Sequence, residues 1–130
     1  MSKYQFKVEV TSRFLPEQSM PEQGMYMFAY TVSIANVGEV PAQLVSRTWN
    51  VNDANGHTER VRGLGVVGQQ PLLKPGEVFE YTSGSRLRTP TGTMHGSFFC
   101  VAEDGEKFAT DIPMFVLDAL SAGGSGRTLH

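Results

Sequence analysis

Apolar and polar residues alternate one for one through most of this chain, and a period of two suits half-buried strands. Across residues 4–10, Tyr4, Phe6, Val8 and Val10 fall on one side and Gln5, Lys7 and Glu9 on the other. One face therefore packs and the other meets water. Residues 25–36 repeat the pattern, with Tyr26, Phe28, Tyr30, Val32 and Ile34 opposite Met25, Met27, Ala29, Thr31 and Ser33. A third strand is expected over residues 43–52, with Val45, Arg47, Trp49 and Val51 on one side. A short fourth follows at 58–61, and a fifth at 78–82 has Phe79 and Tyr81 on a shared face. The sixth, at 93–102, turns Met94, Gly96, Phe98 and Cys100 inward. The seventh, at 107–117, places Phe108, Thr110, Ile112, Met114 and Val116 together.

Turn chemistry divides these runs. Residues 12–24 hold Pro16 and Pro21 and read as a loop. Asn36-Val37-Gly38-Glu39-Val40-Pro41, Asn52-Asp53-Ala54-Asn55-Gly56 and Leu73-Lys74-Pro75-Gly76-Glu77 are turn clusters. Asp104-Gly105 is the strongest hairpin signal. Pro113 cannot donate to a ladder, so its strand is expected to be an edge or to carry a bulge. Residues 62–73 show no clear period and read as loop, and no segment sustains a helical one. About seven strands with turns between them predict an all-β sandwich of the immunoglobulin or fibronectin type III kind. One domain spans residues 1–120, and residues 121–130, with Gly123-Gly124-Ser125-Gly126, read as a flexible tail.

A chain of 130 residues can bury about two thirds of its unfolded surface without a disulfide or metal. Eleven Lys and Arg against 13 Asp and Glu leave a net charge of -2, which gives nucleic acid or anionic lipid no long-range attraction. No apolar run approaches the roughly 18 residues of a membrane helix. The start, Met1-Ser2-Lys3-Tyr4, runs into a strand pattern without a signal-peptide core. Cys100, the single cysteine, fits a reducing compartment. The expectation is a cytoplasmic protein.

Several stretches carry a family resemblance. They are Phe28-Ala29-Tyr30-Thr31-Val32, Gly63-Leu64-Gly65-Val66-Val67-Gly68-Gln69-Gln70-Pro71-Leu72, Pro75-Gly76-Glu77 and Tyr81-Thr82-Ser83-Gly84. Thr89-Pro90-Thr91-Gly92-Thr93-Met94 and Asp111-Ile112-Pro113-Met114-Phe115 follow in order. On these the chain resembles the bacterial ApaG family. The resemblance implies a fibronectin-like fold, an association with cobalt sensitivity and magnesium efflux, and no established enzymatic activity. Similar domains in some eukaryotic F-box proteins and a polymerase-interacting protein imply an interaction module.

Gly63, Gly65 and Gly68 spell the G-x-G-x-x-G of dinucleotide folds. That motif works where a helix follows and presents its amides to a pyrophosphate. Here Pro71 and Pro75 follow, and no helix can form across them. A glycine-rich loop can still form an anion nest, and Arg60 and Arg62 lie just before it. Loop geometry alone explains the same glycines. The candidate ligand-binding set is thus Arg60, Arg62, Gly63, Gly65 and Gly68. His57, His95 and His130 are scattered, no metal-site spacing occurs, and no cofactor is expected. Cys100 and Trp49 read as core residues. No catalytic constellation is present, so the chain is read as a noncatalytic module for an unidentified protein or small anion. Nucleic acid and membrane are not expected partners, and the assembly is a monomer or weak homodimer, with Met25, Met27 and Phe99 as its apolar outer patch. A nucleotide-binding protein or hydrolase using the glycine loop, and a divalent-cation sensor or carrier, are the alternatives.

Overall fold

Strands form where the alternation lets one face be buried, and here two antiparallel sheets bury those faces against each other. The computed structural model describes residues 2–120, and the tail expected at 121–130 lies outside them. The strands are β1 (Phe6–Phe14), β2 (Tyr26–Asn36), β3 (Ala42–Asp53), β4 (Thr58–Leu64), β5 (Leu72–Leu73), β6 (Val78–Leu87), β7 (Thr91–Ala102) and β8 (Lys107–Asp118). The smaller sheet has the order β1-β2-β6, and the larger β4-β3-β7-β8, with β5 paired to the start of β3. This is an all-β sandwich, as the periodicity predicts. Among the described residues no helix is long and apolar enough to cross a membrane.

Phe28, Val32 and Ile34 from β2 meet Leu44, Phe98, Cys100, Ile112 and Leu117 of the larger sheet in one core. Each such side chain contributes about 1.5–3 kcal/mol on burial. Tyr30, Trp49, Phe98 and Ile112 are buried as expected, whereas Tyr26 and Phe79, also expected in the core, are only partly covered at its margin.

Several boundaries differ from the sequence reading because backbone pairing overrides local polarity. β1 runs on through Thr11, Ser12 and Arg13, since each pairs with β2 out to Phe14 opposite Phe28. It stops just short of Pro16, and the rest of the expected loop holds two 3-10 turns, Pro16–Gln18 and Pro21–Gln23. β6 likewise continues past Thr82 to Leu87 along β2. β4 extends to Leu64, so Arg62 and Gly63 are strand residues and not loop.

Two bulges reset the faces. The pairing of β3 with β7 shifts between Leu44 and Ser46, leaving Val45 as an extra residue. Leu44 is therefore the residue fully buried there, and Val45 leaves the stripe it was assigned to. The pairing of β7 with β8 shifts between Met94 and Gly96, opposite Pro113 and Met114. β8 is thus both an edge and bulged at Pro113, as the proline predicts. Beyond the bulge its parity inverts: Phe115 and Leu117 turn inward, and Met114 and Val116, expected inside, are exposed.

The two lateral seams of the sandwich are unlike. On one side β1 and β8 run against each other. Phe6 and Phe108 meet edge to face at 5.6 Å, and Ser12 Oγ donates to the Val116 carbonyl at 2.9 Å. On the other side, between the edges β4 and β6, lies a cleft.

Candidate functional site

The cleft starts from a tight turn. Val66 and Gln69 exchange backbone hydrogen bonds of 2.8 and 2.9 Å. Between them Val67 and Gly68 have φ of 43° and 80°, the two positive values of a type I′ hairpin turn. Glycine takes that conformation freely, while a β-branched residue is strained there. The Val45 bulge anchors the base of the turn, its carbonyl accepting from Gly65 N at 2.8 Å and Gln70 Nε2 at 2.9 Å. Gly65 has φ of 63°, and a Cβ there would overlap the Gln69 carbonyl oxygen. Val66 is fully buried beneath the turn, while Leu64 and Val67 are exposed at its rim.

Arg47 lies across the inner face of β3 under this turn. Its Nη1 donates to the Leu64 carbonyl at 3.0 Å and to the Gly65 carbonyl at 2.8 Å. Gly63 is directly opposite Arg47 in the β3–β4 pair. A Cβ at position 63 would come within 2.9 Å of Arg47 Nη1 and 3.0 Å of Cζ. Gly63 is therefore glycine to let the guanidinium lie flat, not to bend a loop.

The cleft has a volume of about 250 Å³ and is lined by Tyr30, Arg47, Trp49, Leu64, Val66, Val67, Gly68, Tyr81 and Ser83. Trp49 stands edge-on to Tyr30 at 5.3 Å and to Phe115 at 5.8 Å, so its orientation is fixed from both sheets. Ser83, short and on the inner face of β6 opposite Tyr30, leaves space that a larger residue would fill. Two polar atoms on lining residues, Trp49 Nε1 and Tyr81 Oη, are buried and have no hydrogen-bond partner among the described residues. Their side chains are 3% and 7% exposed. A buried polar group left unpaired costs roughly 1–3 kcal/mol, so native proteins keep few of them.

Electrostatics follow from the same geometry. Burial pushes the Tyr30 hydroxyl above its ordinary range, with the Ser83 hydrogen bond and the Arg47 charge pulling it back. Burial, then the neighbouring Tyr30, pushes Tyr81 further up against the pull of Arg47. Both phenols keep their protons at neutral pH. Among the described residues no carboxylate lines the cleft and Arg47 is in no ion pair.

The sequence-predicted set is only partly brought together here. Gly65 and Gly68 shape the turn, and Gly63 lies beneath Arg47. Arg60 and Arg62 pair with Asn50 and Thr48, whereas the buried Trp49 pairs with Val61. The two arginines therefore project from the outer face of the sheet, away from the cleft, and Arg60 Nε donates to Asn50 Oδ1 at 3.2 Å. Arg47, Trp49 and Tyr81, which line the cleft, are not in that set. The signal was an arginine inside an otherwise apolar stripe of β3.

The ApaG-domain family model matches residues 16–102, a stretch running from the end of β1 to the end of β7. The chain belongs to the ApaG family. It is 63% identical over 131 residues to Protein ApaG of Acidovorax sp. (strain JS42), covering 99% of this chain and 96% of that one. It is 60% identical over 117 residues to Protein ApaG of Ralstonia nicotianae, covering 90% and 94%. The crystal structure of the ApaA protein from Bordetella pertussis superimposes with a TM-score of 0.89 at 53% identity, over 92% of this chain and 98% of that one.

Other features of this ApaG chain offer less chemistry than the cleft. Farther along the same seam a groove of about 220 Å³ is lined by Asp53, His57, Glu59, Arg86 and Arg88, among others. Its charges are of both signs, and Asp53 Oδ1 already accepts from the backbone N–H groups of Asn55 and His57 at 2.9 Å. Cys100 is fully buried, and burial pushes its thiol up to about 12 against a weaker opposing hydrogen bond with Thr110. A thiolate nucleophile is not available there. Among the described residues no group of three or more His, Cys, Asp or Glu side chains comes together to hold a metal.

Proposed function

We propose that this ApaG-family chain is a noncatalytic binding module, and that it binds through the cleft between β3–β4 and β6. One observation carries the reading: two residues that line a cleft, Trp49 and Tyr81, each hold a buried polar atom, Nε1 and Oη, with no partner within the described fold. A fold with no use for them would place phenylalanines there, because an unpaired buried donor destabilises it. A ligand that accepts from both offsets that cost only when bound, so the site gives up some stability for function. The absence of a carboxylate, histidine or cysteine from the lining supports binding over bond-making, since no general base stands near Ser83.

The sequence holds a single tryptophan, so the Trp49 indole N–H gives one resolved signal. A library of small neutral, anionic and cationic compounds, screened by amide and indole chemical shifts, tests the reading. Hits are expected to move the indole signal together with the amides of Arg47, Tyr81 and residues 64–68. Hits confined to Arg60, Arg62 and the outer face of β4, or the absence of any indole shift, would remove the cleft as the binding site.

A further inference from the structure

We infer that the cleft takes a carboxylate attached to a compact apolar group, with the acid end held by Arg47, Trp49 and Tyr81. The inference rests on the cleft being the binding site and adds the chemistry of its occupant. Every polar side chain of the lining, Tyr30, Arg47, Trp49, Tyr81 and Ser83, can donate a hydrogen bond, and none is an anion. An indole N–H and a guanidinium can only donate, and a protonated phenol pairs most strongly by donating to an anion. Arg47 Nη1 donates to both the Leu64 and Gly65 carbonyls, which holds that arm of the fork in place. Its Nε and Nη2 hydrogens carry no bond among the described residues. A cationic ligand would meet Arg47 and find no counter-charge. A neutral carbonyl would satisfy the indole and leave the guanidinium unmatched.

A single guanidinium with neutral donors around it balances one negative charge. A phosphate dianion would call for a second cation, and the lining offers none. The planar fork of an arginine also matches a carboxylate in two parallel bonds. Behind the donors the walls are apolar: the rings of Tyr30 and Trp49 on one side, Leu64 and Val67 at the rim. A cavity of about 150 Å³ accommodates benzene, and a water occupies about 30 Å³. A cleft of about 250 Å³ therefore has room for a phenyl or branched alkyl group beside its carboxylate. Exposed Leu64 and Val67, otherwise unexplained at a hairpin tip, gain a partner in that group.

Such a carboxylate can belong to a free acid or to the C-terminus of a peptide, and the test separates the two. The full chain is titrated with 3-phenylpropionate, its primary amide, 2-phenylethylamine, inorganic phosphate, and a pentapeptide ending in phenylalanine as free acid or amide. Binding is followed by Trp49 fluorescence and the indole N–H shift. The acid, the free-acid peptide or both should bind at least tenfold more tightly than the matching amide, and the amine should not compete. Added salt should weaken the acid. Tyr81→Phe should lower the acid's affinity about tenfold, and Arg47→Lys, which keeps the charge but not the fork, should lower it by a similar factor. Acid binding with the peptide silent identifies a small metabolite-like acid, and the converse identifies a protein terminus. Both support the inference. Equal binding of acid and amide at the indole, or phosphate displacing the acid, would overturn the carboxylate while leaving the cleft as the site. Wild-type affinity in both variants would overturn the assigned contacts. No indole shift with any probe would overturn the carboxylate, and with a silent library screen it would remove the cleft as well.

Discussion

Along the β1–β8 seam the polar side chains that reach between the sheets are paired; along the β4–β6 seam two buried polar atoms find no partner among the described residues. Tyr4 Oη donates to Asp104 Oδ2 at 2.6 Å, Lys3 lies 3.8 Å from the same carboxylate, and Phe6 packs on Phe108. Across the molecule, among the described residues, Trp49 Nε1 and Tyr81 Oη are buried without partners, Arg47 is in no ion pair, and Val67 holds a left-handed φ. Both seams join the same two sheets, so the fold itself does not require the difference. One seam is closed for stability, and the other keeps unmatched polarity around a cleft. Strain and unsatisfied groups gathered in one place point to a function for that place.

The comparison sharpens under substitution. Phe6→Ala removes a ring from the closed seam, where Phe6 is 5% exposed, and should cost about 3–5 kcal/mol in urea unfolding. A loss under about 1 kcal/mol would mean that seam is not packed. Gly63→Ala should cost about 1–3 kcal/mol by pressing on the Arg47 guanidinium. In an Arg47→Ala background that cost should largely vanish, and if it persists the close approach is not its cause. Val67→Asn should raise stability by about 1 kcal/mol, because asparagine tolerates the left-handed region and Asn-Gly suits a type I′ turn.

The smallest effect concerns pH. Asp104 is held below its ordinary 3.8 chiefly by the Tyr4 hydrogen bond, then by the Glu106 amide. A lowered carboxylate contributes stability that is present above its unfolded value and lost as pH falls through the folded one. Tyr4 is raised above 10.0, chiefly by the same bond, and its contribution is lost only as pH rises past that range. Thermal unfolding should therefore show a small loss below about pH 4 that Asp104→Asn removes. An unchanged acid profile in that variant would separate this contact from the seam's stability.

How much of this was legible before the structure depends on the residue. Alternation placed Phe28, Tyr30, Trp49, Phe98 and Ile112 inside because each strand face had a partner sheet to meet. It failed at Val45, Met114 and Val116, where a bulge inserts one residue and inverts the parity, and only Pro113 gave warning of one. Strand ends were lost where pairing carried polar runs such as Thr11-Ser12-Arg13 into a ladder. Of the glycine motif, Gly65 and Gly68 take the positive φ that loop geometry calls for, whereas Gly63, in a strand, makes room for an arginine from another strand. Arg60 and Arg62 were near it in sequence but on the other face of the sheet, because neighbours two apart share a face and residues 61 and 63 take the inner one. Arg47 stood in plain view beside Trp49, but Tyr30, Tyr81 and Ser83, which line the same cleft, come from the other sheet.

The most direct test is the stability of Tyr81→Phe without ligand. The substitution removes one buried hydroxyl and nothing else. If Tyr81 Oη has no partner in the folded chain, chemical denaturation should give a variant as stable as the parent or more stable by about 1 kcal/mol. A loss of more than about 1 kcal/mol would show that the hydroxyl is satisfied within the fold, and would contradict the account of the β4–β6 seam as a site waiting for a ligand.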